Sequence, residues 1–219
     1  SFTPLYDNHE HIAVIPMGAS YFHMNMDWHH QQRDDVDTLN LLYPGSFYPT
    51  RRPDKLFEAI SQVDGVHLTI IGTHFIDISD DVARYNIEGR VTLQDYANQR
   101  QIAEMQRDFD VLLLTSWPVP EQISGKFYEY IATDKPILYV SNHETDIASD
   151  YMRQHDSGYI TPNTVEDIAQ MFTHVRDEAR AGRLKSPAPA TDVGFDTRAQ
   201  QLMTLIDRLT QVRVQEPTR

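Results

Sequence analysis

Residues 110–140 read DVLLLTSWPVPEQISGKFYEYIATDKPILYV and decide the fold. The apolar runs at 110–115 and 136–140 have the length and composition of buried β-strands. Between them, apolar residues recur every four positions, which predicts a helix over about 123–133 with this stripe packed on the sheet. The stripe consists of Ile123, Phe127 and Ile131. A strand, a helix and a second strand in this order indicate a βαβ unit with parallel strands.

Charged side chains flank the start of this predicted helix. Glu121 lies in the preceding loop, and Glu129 shares a helix face with Gly125 and Lys126. A helix N-terminus presents unpaired amide N–H groups that suit phosphate, Gly125 adds no side chain there, and carboxylates accept hydrogen bonds from sugar hydroxyls. The pattern therefore predicts a site for a ligand with phosphates and hydroxyls. The alternative is a solvated helix start with a Lys126–Glu129 surface pair.

The rest of the chain alternates apolar, β-branched runs with segments of helical periodicity. The predicted strands are residues 38–44, 66–72, 90–93, 110–115, 136–140 and 158–160. The predicted helices are residues 53–63, 98–107, 123–133, 145–154, 164–181 and 196–212. This order predicts an α/β fold with a doubly wound parallel sheet, in which ligands bind outside the carboxyl ends of the strands. The loops expected at that edge are residues 45–51, 72–74, 95–96 and 116–125.

Composition narrows the class of protein. The 219 residues suffice for one α/β core with a tail, and neither a long apolar run nor a signal peptide is found, so a soluble intracellular domain is expected. The chain has no cysteine, which excludes disulfides and thiolate chemistry. A formal net charge of −13 argues against nucleic acid and anionic lipid as partners, and makes local cations important for any anionic ligand.

Several motifs resemble the C-terminal, nucleotide-sugar-binding domain of GT-B glycosyltransferases, in particular retaining enzymes of family 4. Glu121-x7-Glu129, followed by Lys135-Pro136-Ile137, is similar to the Glu-x7-Glu segment of that family. Further segments of similarity are residues 11–19 (entry into the domain), 41–45 (first strand and glycine turn), 45–60 and 124–130. The resemblance covers about residues 10–175 and implies a single Rossmann-like domain.

The resemblance implies roles for individual residues. Arg51 falls on the family's phosphate-binding Lys, whereas Ser46 falls on its partner Arg, a departure for which Arg52 is expected to compensate in part. Glu121 would orient the transferred sugar, and Glu129 would bind the ribose. The predicted catalytic residues are Glu121, Arg51 and Lys126. The predicted substrate-binding residues are Glu129, Gly45, Ser46, Arg52, Ser124, Gly125, Gly72 and Tyr96.

The resemblance also implies a function. The chain is expected to be the donor-binding half of a hexosyltransferase in glycan or polysaccharide biosynthesis, inactive as this fragment alone. The implied partners are a UDP- or GDP-sugar donor, an N-terminal GT-B domain with the acceptor site, and a glycan or lipid-linked acceptor. No metal and no cofactor other than the donor substrate is implied, and the implied localisation is cytoplasmic, at the inner face of the membrane through the N-terminal half. Two alternatives stay open: half of a non-hydrolysing sugar-nucleotide epimerase, and a noncatalytic GT-B-like binding or assembly module.

The predicted organisation has three parts. Residues 1–36 form the interdomain connection and the start of the domain, 37–180 the donor-binding domain, and 181–219 a loop with the C-terminal helix. Histidines in the first part lack the spacing of metal ligands and are interpreted as part of a polar linker. They are His9, His11, His23, His29 and His30. The resemblance implies that Tyr96 stacks on or lies beside the nucleotide base, and the alternative is a partly buried surface tyrosine.

Overall fold

The computed structural model describes residues 15–28, 37–72, 76–185 and 187–215. Six parallel strands form one sheet in the order β3-β2-β1-β4-β5-β6. The strands are β1 (Leu39–Pro44), β2 (Val66–Ile71), β3 (Val91–Gln94), β4 (Val111–Thr115), β5 (Ile137–Ser141) and β6 (Gly158–Pro162). All six predicted strands are confirmed, and their order is that of a doubly wound, Rossmann-like sheet.

Each central strand sends alternate side chains into two separate cores. In β1, Leu41 and Tyr43 enter the core on one face of the sheet, whereas Leu42 enters the core on the other. Leu113 of β4 joins the first core and Leu112 the second. Because successive side chains of a strand point to opposite faces, burial on both faces requires the continuous apolar runs seen in the sequence.

Helices cover both faces of the sheet. The helices are α1 (Tyr21–Asn25), α2 (Asp54–Gln62), α3 (Ser79–Arg84), α4 (Gln99–Gln106), α5 (Gly125–Ile131), α6 (Ile147–His155), α7 (Val165–Arg180) and α8 (Phe195–Gln215). All six predicted helices are present, and α7 begins at an N-cap in which the Thr164 side chain accepts from the amide of Asp167. The sequence analysis missed α1 and α3, which are too short to show a helical period. Within the described ranges, no helix is long and apolar enough to cross a membrane.

Helix α5 is shorter at both ends than predicted. It begins at Gly125 because Ser124 is its N-cap, with Oγ accepting from the Lys126 amide at 3.3 Å. It ends at Ile131, and the Thr133 hydroxyl donates to the carbonyl of Tyr130 just past that end. The predicted stripe does pack on the sheet, with Phe127 and Ile131 buried.

The segment 15–28 packs on the same domain as the sheet. Ala19 donates to the Val193 carbonyl at 2.7 Å and accepts from the Phe195 amide at 3.1 Å, which joins this segment to the start of α8. His23 is 1% exposed and pairs with Gln106 of α4 at 3.0 Å. His23 is therefore a buried, hydrogen-bonded residue of the packed domain, whereas the sequence analysis interpreted it as part of a polar linker. The other four histidines of that group lie outside the described residues.

Candidate functional site

The strand order changes direction between β1 and β4, and the loops after these two strands meet there. In open parallel sheets, this reversal leaves a crevice at the carboxyl ends of the strands, where ligands bind. A Cβ added at Gly45, just after β1, would lie 3.1 Å from Cε of Lys126 on α5. A Cβ added at Gly72, just after β2, would lie 3.1 Å from the Gly45 carbonyl oxygen. The loops after β1 and β2 and the start of α5 are thus in contact.

Arg51 lies in this crevice, held by the turn after β1. The Arg51 amide donates to the Tyr48 carbonyl at 2.9 Å, and its Nη2 donates back to the Ser46 carbonyl at 3.0 Å. The guanidinium carbon lies 4.5 Å from the centre of the Trp117 ring and 5.5 Å from that of Tyr48. Trp117 follows β4, so this contact joins the loops on the two sides of the reversal.

Two buried donors of this pair lack an acceptor. Nε of Arg51 and the indole Nε1 of Trp117 find no hydrogen-bond partner within the described part of the chain. Buried N–H groups are nearly always satisfied, because an unmade hydrogen bond there costs about 1–3 kcal/mol. The Nε–H of Arg51 is therefore a donor suited to a ligand rich in oxygen acceptors.

Lys126 lies against Gly45, and both Lys126 and Glu129 are half-buried, so they are not the solvated surface pair considered above. Burial lowers the pKa of Lys126. The nearby Glu129 carboxylate opposes that shift, and the positive charge of Arg51 adds to it. Burial raises the pKa of Glu129, and Lys126 opposes that shift. Arg51 and Lys126 are thus close enough to repel each other, and an anion between them would relieve the repulsion.

The start of α5 differs from the predicted open amide cluster. A Cβ added at Gly125 would lie 3.2 Å from Cε of Met17, so the Met17 side chain lies beside this first turn. The Ser124 side chain caps the helix. Helix α5 has only seven residues, which limits its dipole as a source of anion affinity. The side chains of Arg51 and Lys126 therefore contribute more positive charge to the crevice than the helix does.

Glu121 and Tyr96 lie outside this cluster of contacts. The Glu121 side chain is exposed, and within the described ranges no hydrogen bond or ion pair involves its carboxylate. Tyr96 lies in the loop after β3 and is 74% exposed. Strand β3 is the edge strand and lies two strands from β1, which is about 10 Å across the sheet. The roles assigned to Glu121 and Tyr96 stay predictions.

Arg52 points to a different partner. Its guanidinium pairs with Asp54 at 3.2 Å and with the buried carboxylate of Asp81 at 2.5 Å. Arg84 pairs with the same two acids and completes a network between α2 and α3. Compensation for Ser46 by Arg52 stays a prediction, and it would require this ion pair to open.

The sequence analysis did not single out Trp117, Tyr48 or Tyr43. Burial raises the pKa of Tyr43, and Arg51 lowers it, which places the Tyr43 hydroxyl within electrostatic range of the guanidinium. For Tyr48 and Trp117, the signal that could have pointed to the site was their position as aromatic residues in the loops after β1 and β4. Aromatic residues are so often packing residues that this signal alone does not identify a site.

Comparison with known proteins gives the family. A family model described as glycosyl transferases group 1 matches residues 25–181. The solved structure of sucrose-phosphate synthase (tll1590) from Thermosynechococcus elongatus has a TM-score of 0.69 at 16% identity, covering 91% of this chain and 53% of that chain. Anabaena Alr3699/HepE in complex with UDP and glucose has a TM-score of 0.60 at 16% identity, covering 78% and 49% respectively. WaaG, a glycosyltransferase involved in lipopolysaccharide biosynthesis, has a TM-score of 0.50 at 15% identity, covering 68% and 44%.

These comparisons differ in what they establish. A search of curated proteins found no match. The solved structures are all below 25% identity, so they show the fold alone, and this chain spans about half of their length. Its single Rossmann-like domain matches the C-terminal domain of GT-B glycosyltransferases. Because the family model covers most of the residues, the chain belongs to the glycosyl transferases group 1 family.

Proposed function

We propose that this chain is the donor-binding domain of a retaining glycosyltransferase, which transfers a hexose-type sugar from a nucleoside diphosphate to a glycan or lipid-linked acceptor. One observation carries the proposal: Arg51 and Lys126 come from opposite sides of the strand-order reversal, and Lys126 lies against Gly45 while Arg51 binds the carbonyl of the adjacent Ser46. Two half-buried cations beside a residue without a side chain suit a diphosphate group.

The local charge matters because the whole chain is acidic. An anionic donor approaches a protein with a formal net charge of −13, so its affinity has to come from nearby cations. Arg51 supplies a planar set of N–H donors, and Lys126 supplies a compact positive charge. Burial lowers the pKa of the Lys126 ammonium group. Both groups would stabilise the negative charge that develops on the leaving diphosphate during transfer.

The remaining predicted residues are assigned by position. Glu129, next to Lys126 on α5, would accept hydrogen bonds from the ribose hydroxyls. Glu121, in the loop before α5, would contact the transferred sugar once the donor and the acceptor-binding half enclose it. Gly45 and Gly72 would let the backbone approach the diphosphate, whereas Ser124 and Gly125 would offer amides at the start of α5. Tyr96 would reach the base across the sheet edge.

The structural neighbours favour uridine as the base. Anabaena Alr3699/HepE was solved in complexes with UDP, with UDP and glucose, and with UDP-glucose. Its likeness to this chain extends to the fold, and the carboxyl edge of the sheet holds Arg51 and Lys126 here. We therefore propose a UDP-sugar as the first donor to test, with a GDP-sugar as the comparison.

Calorimetric titration of the 219-residue chain with UDP, UDP-glucose and GDP at low salt tests this proposal. UDP should bind, and Lys126→Ala should weaken its binding about 10- to 100-fold, since a charge-assisted hydrogen bond is worth about 1.5–3 kcal/mol. Arg183→Ala is the matched control: it removes one cation too, but Arg183 pairs with Glu178 at the far end of α7. The proposal fails if no nucleotide binds, or if the two variants have equal effects.

A noncatalytic binding module is the second candidate, and one observation favours it. Ser46 stands where the resembled family has a second cation, and the nearby Arg52 is engaged by Asp54 and Asp81. In a full-length protein, Glu121→Ala and Glu129→Gln separate the two functions. A transferase loses turnover in both variants, whereas a binding module keeps its partner and its cellular effect.

A further inference from the structure

Trp117 is the largest side chain in contact with Arg51, and its backbone is fixed from two directions. The imidazole Nε2–H of His143 donates to the Trp117 carbonyl at 2.9 Å, which requires the proton on that nitrogen. The preceding Ser116 hydroxyl accepts from the amide and the side chain of Asn142, at 2.8 and 2.9 Å. The loop after β5 thus anchors the loop after β4.

The same loop is tied to the core beneath it. Ser141, at the end of β5, donates to the buried carboxylate of Asp146 at 2.9 Å, and Tyr139 donates to the same oxygen at 2.8 Å. Asp146 also caps α6 through the Ser149 amide. Because these bonds are buried and interlinked, the loop that carries His143 has little freedom, and neither has the Trp117 backbone.

Arg51, in contrast, has few restraints of its own. A single hydrogen bond, to the Ser46 carbonyl, holds its guanidinium within the described residues, and Nε has no acceptor there. An arginine side chain with one such bond keeps several rotamers, and ordering it on ligand binding costs conformational entropy. The face of the Trp117 ring lies 4.5 Å from the guanidinium carbon, close enough for a cation–π contact that favours the observed rotamer before any ligand arrives.

We infer that Trp117 is a positioning residue of the donor site, whose indole face holds Arg51 ready for the diphosphate. This inference rests on the proposed function. On this inference, the loop after β4 orients Arg51 in addition to carrying Glu121, the residue predicted to contact the sugar. The inference also fits the replacement at Ser46, since a site with one arginine fewer depends more on the orientation of the one that remains.

A double-mutant cycle with UDP binding as the readout tests the inference. Trp117→Leu should weaken UDP binding about 3- to 30-fold, the range of a partly desolvated cation–π contact. Arg51→Ala should weaken it at least as much, and the double variant should be no worse than Arg51→Ala within about twofold, because Trp117 acts through Arg51. Trp117→Phe keeps a ring face and should stay within about threefold of the unmodified chain.

Each other result of the cycle overturns the inference. Independent, multiplying losses would show that Trp117 acts without Arg51, and an unchanged affinity of Trp117→Leu would show that it does not act at all. Equal losses for Trp117→Phe and Trp117→Leu would exclude the ring face as the cause. Melting curves of each variant check that the domain is folded. If Trp117→Leu does not fold, Trp117→Phe replaces it in the double-mutant cycle.

A second measurement needs no ligand. In NMR spectra of the free chain, the Arg51 δ-protons should show an upfield ring-current shift that Trp117→Leu reduces to the smaller contribution of Tyr48, whereas Trp117→Phe keeps more of it. If neither UDP nor inorganic pyrophosphate binds the unmodified chain, the proposed function fails, and these shifts alone decide whether Trp117 holds Arg51. Unshifted Arg51 signals in the free chain overturn the inference whatever binds.

Discussion

Gly45 lies directly against Lys126: a Cβ at position 45 would be 3.1 Å from the lysine Cε. The Tyr43 ring lies on the same side, with Cε1 at 3.1 Å and Cζ at 3.2 Å from that Cβ. The lysine can yield because its chain is flexible, but the tyrosine ring is buried and stacked on Phe47. A side chain at Gly45 would therefore push the candidate phosphate cation out of place.

Gly45→Ala should weaken UDP binding and also cost some stability. We expect a loss of about 1 kcal/mol in the free energy of unfolding from overpacking against Tyr43, and a loss of about tenfold in affinity as Lys126 moves. Chemical denaturation and calorimetric titration measure the two effects. Gly89→Ala is the matched control, since a Cβ there meets nothing within 4 Å, and it should change neither quantity. Unchanged affinity in Gly45→Ala would contradict the placement of Lys126 in the site.

Gly158→Ala should destabilise the sheet strongly. Gly158 has φ +143°, and a Cβ there would lie 2.1 Å from the Ile137 carbonyl oxygen, where β5 and β6 pair. Neither the backbone strain nor the clash with rigid backbone can relax locally, so the free energy of unfolding should fall by about 3 kcal/mol or more. Denaturant melts measure this, with Gly89→Ala again as the control. A loss below about 1 kcal/mol would contradict the packing of β6 on β5.

Acid should loosen the packing of α1 on α4 through His23. Burial lowers the pKa of His23 to about 4, the hydrogen bond to Gln106 opposes this, and Lys126 adds to it. Its other neighbours are the Ser20 hydroxyl and the stacked Trp28 ring, both uncharged. Since the unfolded chain binds the proton more tightly, the contribution of His23 is complete above about pH 6.5 and is lost as the pH falls towards 4.

The expected size of this effect is about 2 kcal/mol at pH 5, relative to pH 7.5. Denaturant melts at both pH values measure it in the unmodified chain. His23→Gln keeps a hydrogen-bonding side chain but cannot titrate. Its free energy of unfolding should therefore fall less between pH 7.5 and pH 5 than that of the unmodified chain. Equal drops in the two proteins would show that His23 does not titrate across this range.

Nucleotide binding should draw a proton onto Lys126 under alkaline conditions. Burial lowers the pKa of this lysine in the free chain, and a bound diphosphate would raise it again by favouring the charged form. Calorimetric titration with UDP at about pH 9, in buffers of different ionisation enthalpy, should therefore report net proton uptake. Lys55→Ala, which removes an exposed lysine of α2, should keep that uptake, and Lys126→Ala should abolish it. Uptake that persists without Lys126 would assign the titration to another group.

The candidate site was predictable in part. Local signals placed Gly45, Arg51 and Lys126 at the ends of strands and at a helix start. The structure sets Lys126 against Gly45 and Arg51 on the carbonyl of the adjacent Ser46. The stacking of Arg51 on Trp117 was not predictable, because it depends on how two loops 66 positions apart along the chain are oriented when β1 and β4 pair. The engagement of Arg52 by Asp81 is of the same kind, since the acid lies on a helix that the periodicity did not show.

The sequence by itself determined the layered sheet, because apolar runs and helical stripes are local patterns that lead directly to strands and helices through the backbone period and burial on two faces. Only the tertiary structure decided which side chains contact each charged group. Arg51 and Arg52 are adjacent in sequence and chemically alike, yet one stacks on Trp117 in the crevice and the other pairs with Asp81 on α3. The choice between them depends on which partners the packed helices and loops bring within a few ångströms, where electrostatic and ring contacts are strong.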